Sequence, residues 1–64
     1  MEKLLYIHRV ATMLDCSRPM VYKLIYDGKL KAVRIGKRGI RISEASLNNF
    51  ITENTITPDE FHNE

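Results

Sequence analysis

The sequence predicts a small α+β domain of the winged helix-turn-helix kind: two N-terminal helices, a two-stranded β-hairpin and a C-terminal helix. Three observations lead there. Two apolar stripes at helical spacing, Ile7-Val10-Ala11-Leu14 and Val21-Leu24-Ile25-Gly28, are separated by little more than Asp15-Cys16. Helices joined by so short a link must cross at a steep angle. After Gly28 the apolar period falls to two, and a glycine-bounded basic turn, Gly36-Lys37-Arg38-Gly39, divides two β-prone runs. A helical pattern then resumes behind Ser43.

The first helix is placed at about Ile7 to Leu14, after a short lead-in that offers Leu4 and Leu5 to the core. Its start is poorly signalled, because Tyr6 has no short oxygen for capping and His8 and Arg9 put positive charge where the helix dipole prefers negative. His8 reads as an exposed polar residue, since no partner constellation surrounds it in the sequence. The second helix has stronger punctuation. Ser17 supplies an N-cap oxygen, Pro19 fits the first turn, and Asp27-Gly28 provides the stop. One face carries Val21, Leu24 and Ile25; Arg18, Met20, Tyr22, Lys23 and Tyr26 are left for a partner.

On the first predicted strand Leu30, Ala32 and Arg34 share a face opposite Lys31, Val33 and Ile35; on the second, Ile40 and Ile42 oppose Arg41. An isolated hairpin is marginal in water, so one of these faces must pack on the helices. Ser43 then caps a third helix, Glu44 to about Glu53, with Ala45, Leu47, Phe50 and Ile51 as its apolar set and Phe50 as the largest ring for the core. Residues 1–53 thus form one domain. Residues 54–64 form an acidic tail expected to be disordered or frayed, with room for one helical turn started by Thr57-Pro58-Asp59-Glu60 and ending near Phe61.

Composition narrows the function. A chain of 64 residues supports one small core, burying about 60% of its unfolded surface. Its one cysteine, Cys16, forms no internal disulfide and reads as a small buried hydrophobe. No apolar run approaches membrane-spanning length and Met1-Glu2-Lys3 opens no signal-peptide pattern, so a soluble, cytoplasmic protein is expected. No carboxylate pair, nucleophile with a base, phosphate loop or metal-ligand spacing is present, so neither an enzyme, a cofactor nor a metal is expected. The charge is unevenly spread. Residues 1–52 hold all ten Lys and Arg against Glu2, Asp15, Asp27 and Glu44, a net of +6, while residues 53–64 hold four carboxylates and neither Lys nor Arg, a net of −4. A basic body suits a polyanion.

The helix from Ser17 (S-R-P-M-V-Y-K-L-I-Y-D-G-K-L), the run A-V-R-I-G-K-R, the strand I-R-I and the last helix S-E-A-S-L-N-N-F closely resemble, in order and spacing, the excisionase-family DNA-binding domain. That domain is a winged helix-turn-helix related to the DNA-binding part of MerR-type regulators, and the resemblance covers roughly residues 4 to 52. It implies that the helix from Ser17 enters the major groove and that the loop Gly36 to Gly39 meets the backbone or the adjacent minor groove. It also implies one of two roles in a prokaryotic cell: an excisionase of a phage or mobile element, directing DNA recombination, or a small transcription regulator. The chain departs from the family pattern in carrying Tyr6 for a small hydroxyl residue, His8 and Arg9 for acidic ones, and Asp15 for glycine. Asp tolerates the left-handed turn better than most residues.

Side-chain chemistry agrees with duplex DNA as the partner. Arg18 offers a planar fork to guanine O6 and N7 or to phosphates, and Lys23 reaches phosphate. Ser17 and Tyr22 bring hydroxyls to backbone oxygens, Pro19 and Met20 press on a thymine methyl, and Arg34, Lys37, Arg38 and Arg41 form a second basic cluster on the hairpin. Arg9 is a further candidate for phosphate contact from the first helix. The competing reading of each is an exposed solubilising side chain; a protein-interaction module using Met20, Tyr22 and Tyr26 is the rival of another class. With one recognition helix and one hairpin, useful discrimination requires several copies, so cooperation with neighbouring copies on DNA, bending, and contact with a site-specific recombinase are expected of an excisionase.

Overall fold

Eight side chains make the core: Leu5, Ile7, Val10, Ala11, Val21, Leu30, Ile42 and Leu47. They come from β1, α1, α2, β3, α3 and the segment before β2 in the computed structural model, which describes residues 2–62. The chain runs β1 (Leu4–Tyr6), α1 (Ile7–Leu14), α2 (Arg18–Tyr26), β2 (Ala32–Ile35), β3 (Gly39–Ser43), α3 (Glu44–Glu53) and α4 (Pro58–His62). No helix among the described residues is long and apolar enough to cross a membrane.

The helix pair forms as its punctuation requires. Asp15 ends α1 in the left-handed region at φ 52. From there Cys16 N–H donates to Ala11 O at 2.9 Å, and the thiol side chain packs half-buried against the core. The Ser17 hydroxyl then accepts the Met20 N–H at 3.2 Å, with Pro19 in the first turn where its missing donor costs nothing. Gly28, at φ 78, lets Lys29 N–H return to Leu24 O at 2.8 Å and drops Leu30 into the core. Tyr6 stands at the N-cap of α1 with no side-chain capping bond, as its lack of a short oxygen implies.

The sheet corrects the expectation of two strands. It has three, in the order β1-β3-β2, all pairings antiparallel. The segment read as a lead-in pairs Leu4 with Ser43, Leu5 with Ile42 and Tyr6 with Arg41, and only Leu5 of the three is buried. Three residues running straight into a helix are too short to display a period of two, which is why the strand was not visible in the pattern. The hairpin itself has the expected faces: Ala32 opposes Ile42 and Arg34 opposes Ile40, with Val33 opposite Arg41 on the other side. Its turn, Gly36 to Arg38, begins with Gly36 at φ 65. Gly39 opens β3 against Ile35, where a Cβ would stand 2.6 Å from the Ile35 carbonyl oxygen.

The third helix keeps its expected limits but turns a different face inward. Leu47 is fully buried and Phe50 partly so, whereas Ala45 and Ile51 are exposed and Ser46 takes the buried place. The reason is hydrogen bonding. Ser43 caps α3 by accepting the Ser46 N–H at 3.0 Å, and the Ser46 hydroxyl donates to Ser43 O at 2.8 Å while accepting the Lys31 N–H at 3.1 Å. Glu44 N–H donates to Lys3 O at 3.0 Å and the Ser43 hydroxyl donates to the Glu2 carboxylate, so the segment leading into β1 is tied to the start of α3, as Lys31 ahead of β2 is through Ser46. Beyond Asn54, residues 55–57 lack regular structure and α4 begins at Pro58, with the Thr57 hydroxyl accepting the Glu60 N–H at 3.2 Å. Asp59, Glu60 and Phe61 are all exposed.

Candidate nucleic-acid interface

Helical spacing puts Arg18 and Tyr22 one turn apart on the same side of α2, and both are exposed. The residues this leaves outward are well exposed: Met20 at 44%, Tyr22 at 49% and Tyr26 at 91%. Tyr26 is the most exposed of the three and faces outward. Pro19 and Ser17 are exposed beside Arg18 at the same end of the helix.

Beside α2 the sheet is incomplete in a useful place. Because β1 ends at Tyr6 opposite Arg41, Gly39 and Ile40 have β2 on one side and no strand on the other. A concavity of 220 Å³ opens there, lined by Arg18 and Tyr22 from α2, Arg38 to Arg41 from the hairpin, and Tyr6, Ile7 and His8 from the β1–α1 junction. Three arginines line it, and no acidic residue does. A planar guanidinium presents several N–H donors in a fixed fork, the geometry suited to phosphate oxygens.

Two of the lining residues, Tyr6 and His8, were not among the contact residues read from the sequence. The Arg41 guanidinium carbon lies over the Tyr6 ring, 4.1 Å from its centroid, and the Tyr6 ring in turn stacks on His8 with centroids 5.1 Å apart and planes 24° from parallel. Arg41 also donates from Nη1 to Ile40 O at 3.1 Å. Tyr6 and His8 looked like a badly capped helix start; the pairing of β1 with β3, which a linear pattern does not carry, is what sets them beside the basic cluster.

Other expected contact residues lie elsewhere. Lys23 sits on α2 with its Nζ 3.0 Å from Asp27 Oδ2, so its charge is already paired along the helix, the one ion pair among the described residues. Arg34 donates across the turn to Lys37 O at 3.5 Å and borders a separate groove of 300 Å³ with Tyr22, Ile25, Ala32, Val33 and Ile40. Lys37 is exposed at the hairpin tip, and Arg9 is exposed on α1 outside the concavity.

The sequence profile of a helix-turn-helix domain matches residues 7–55, from the first residue of α1 to just beyond α3. A search of curated proteins finds no match. A match that spans most of the chain, on a structure with two helices joined by residues 15–17 and a basic hairpin, makes this chain a member of the helix-turn-helix domain family of DNA-binding proteins, a family that includes excisionase-like members and is not typically enzymatic.

Proposed function

We propose that the chain binds double-stranded DNA sequence-specifically, with α2 in the major groove and the β2–β3 turn against the adjacent backbone. One observation supports this above the rest: Arg18 and Tyr22 of α2 share a concave, carboxylate-free surface with Arg38 and Arg41 of the hairpin. A duplex offers the matching surface, base edges in a groove beside a row of phosphates. The decisive measurement is duplex affinity against salt. Neutralising about four to six phosphates gives a slope of log affinity on log salt near −4 to −5, and a slope near zero removes the proposal in favour of a protein-interaction surface around Met20, Tyr22 and Tyr26.

Its role, on this reading, is that of an excisionase of a phage or mobile element in a prokaryotic cell. One helix and one turn read few base pairs, and mismatches worth about 1–3 kcal/mol each give little discrimination to a single copy. Copies must therefore cooperate. The longest helix among the described residues is α3 with ten residues, too short for a coiled-coil dimer seam. Side-by-side loading on direct repeats, with DNA bending for a recombinase, follows on this reading, and the exposed acidic Asp59 and Glu60 support contact with a neighbour's basic turn or with a recombinase. A monomer in sedimentation and a bend in circular-permutation gel shifts are expected. A stable dimer on one inverted repeat with no bend assigns the chain instead to a small transcription regulator.

A further inference from the structure

We infer that the concavity beside β3 seats one phosphodiester of duplex DNA, and that Tyr6 is the positioning residue that holds Arg41 ready for it. The inference rests on the DNA reading above. Its volume of 220 Å³ far exceeds that of a single water and admits a tetrahedral phosphate with part of its hydration. Arg38 and Arg41 reach it from the hairpin and Arg18 from α2, with no carboxylate in the lining to neutralise them.

Arg41 differs from the other two in being held. It faces Tyr6 across the β1–β3 pairing, its guanidinium lies 4.1 Å from the ring centroid, and His8 stacks on that ring. One of its five N–H donors is given to Ile40 O, leaving four. A flexible arginine loses rotamer freedom on gripping an anion, and a guanidinium already laid on an aromatic face has less to lose. The departures of this chain at Tyr6 and His8 thus acquire one purpose: they build the shelf on which Arg41 rests.

The test is duplex binding across a salt series for the full chain and for Arg41→Gln, Tyr6→Ile and Tyr6→Phe, with folding followed by circular dichroism. Arg41→Gln is expected to flatten the salt slope by about one unit. Tyr6→Ile, which keeps a strand-forming residue but deletes the ring, lowers affinity about two- to fivefold, and Tyr6→Phe restores it because the ring remains. Replacing one particular phosphate by methylphosphonate abolishes the difference between the unmodified chain and Arg41→Gln. Wild-type affinity in Tyr6→Ile, an equal loss in Tyr6→Phe, or no such phosphate overturns the inference. Should Tyr6→Ile not fold, an unchanged slope in Arg41→Gln overturns it alone. Failure of the unmodified chain to bind any duplex is the separate result that removes the DNA reading itself.

Discussion

Lys23 of α2 and Asp27, the residue that caps that helix at its C-terminus, close an ion pair at 3.0 Å, with Lys23 the more exposed partner. An exposed pair of this spacing adds only about 0.3–0.5 kcal/mol to helix stability. Its larger effect is on availability, because a lysine that must leave a carboxylate before meeting a phosphate contributes less to binding. Lys23→Ala is therefore expected to weaken duplex binding less than twofold, whereas Asp27→Asn frees the ammonium and steepens the salt slope by about one unit. Salt titrations of the two variants check both statements.

Arg18 and Arg38 approach the same concavity from different elements, and their losses are expected to differ in kind. Arg18→Ala costs about 1–3 kcal/mol of affinity and relaxes preference at one base pair, while Arg38→Ala weakens all sequences alike and flattens the salt slope by about one unit. Selection from a randomised duplex library distinguishes them: equal, sequence-blind losses show that Arg18 holds phosphate as Arg38 does.

Asp15 holds a φ of 52 at the end of α1, a conformation in which a side chain is strained and glycine is not. Asp15→Gly is expected to stabilise the domain by about 0.5–1 kcal/mol, read from the urea midpoint. A loss of stability would mean that the aspartate contributes more to the turn than its strain removes.

Ser46 is buried and serves two backbone partners, Lys31 N–H and Ser43 O. Ser46→Ala leaves the Lys31 N–H without its acceptor and is expected to cost about 1–3 kcal/mol. Ala45→Ser, at the exposed neighbour, stays within about 0.5 kcal/mol of the parent. Paired urea melts give the comparison; similar melts for both would place α3 in a different rotation.

The contrast between Ala45 and Ser46 shows where sequence reading stops. Helix limits were legible because they are set locally, by Ser17, Pro19, Gly28 and Ser43, whose effects act within one turn. The rotation of α3 was not, since a serine is drawn inward by a main-chain group fifteen residues away rather than by its own hydropathy. The candidate interface divides the same way. Arg18, Tyr22, Arg38 and Arg41 stood out as exposed chemistry on predicted elements and do line one surface. Tyr6 and His8 join them only through the β1–β3 register, and Lys23 is withdrawn by the residue capping the end of its helix, a pairing visible as an i, i+4 spacing but not weighed against phosphate contact.

That β1–β3 register also governs when the molecule can form. Leu4 pairs with Ser43, so the central strand acquires its second neighbour only after both helices and the hairpin have been traversed. The helix pair and the hairpin depend on near contacts and close early, while β1 must wait for a loop spanning most of the domain. Until then Tyr6 has no Arg41 beside it, and the three arginines lack their common wall. The surface lined by the three arginines is thereby completed by a long-range strand pairing, and a chain in which that pairing has not formed has α2 without the Tyr6–Arg41 shelf beside it.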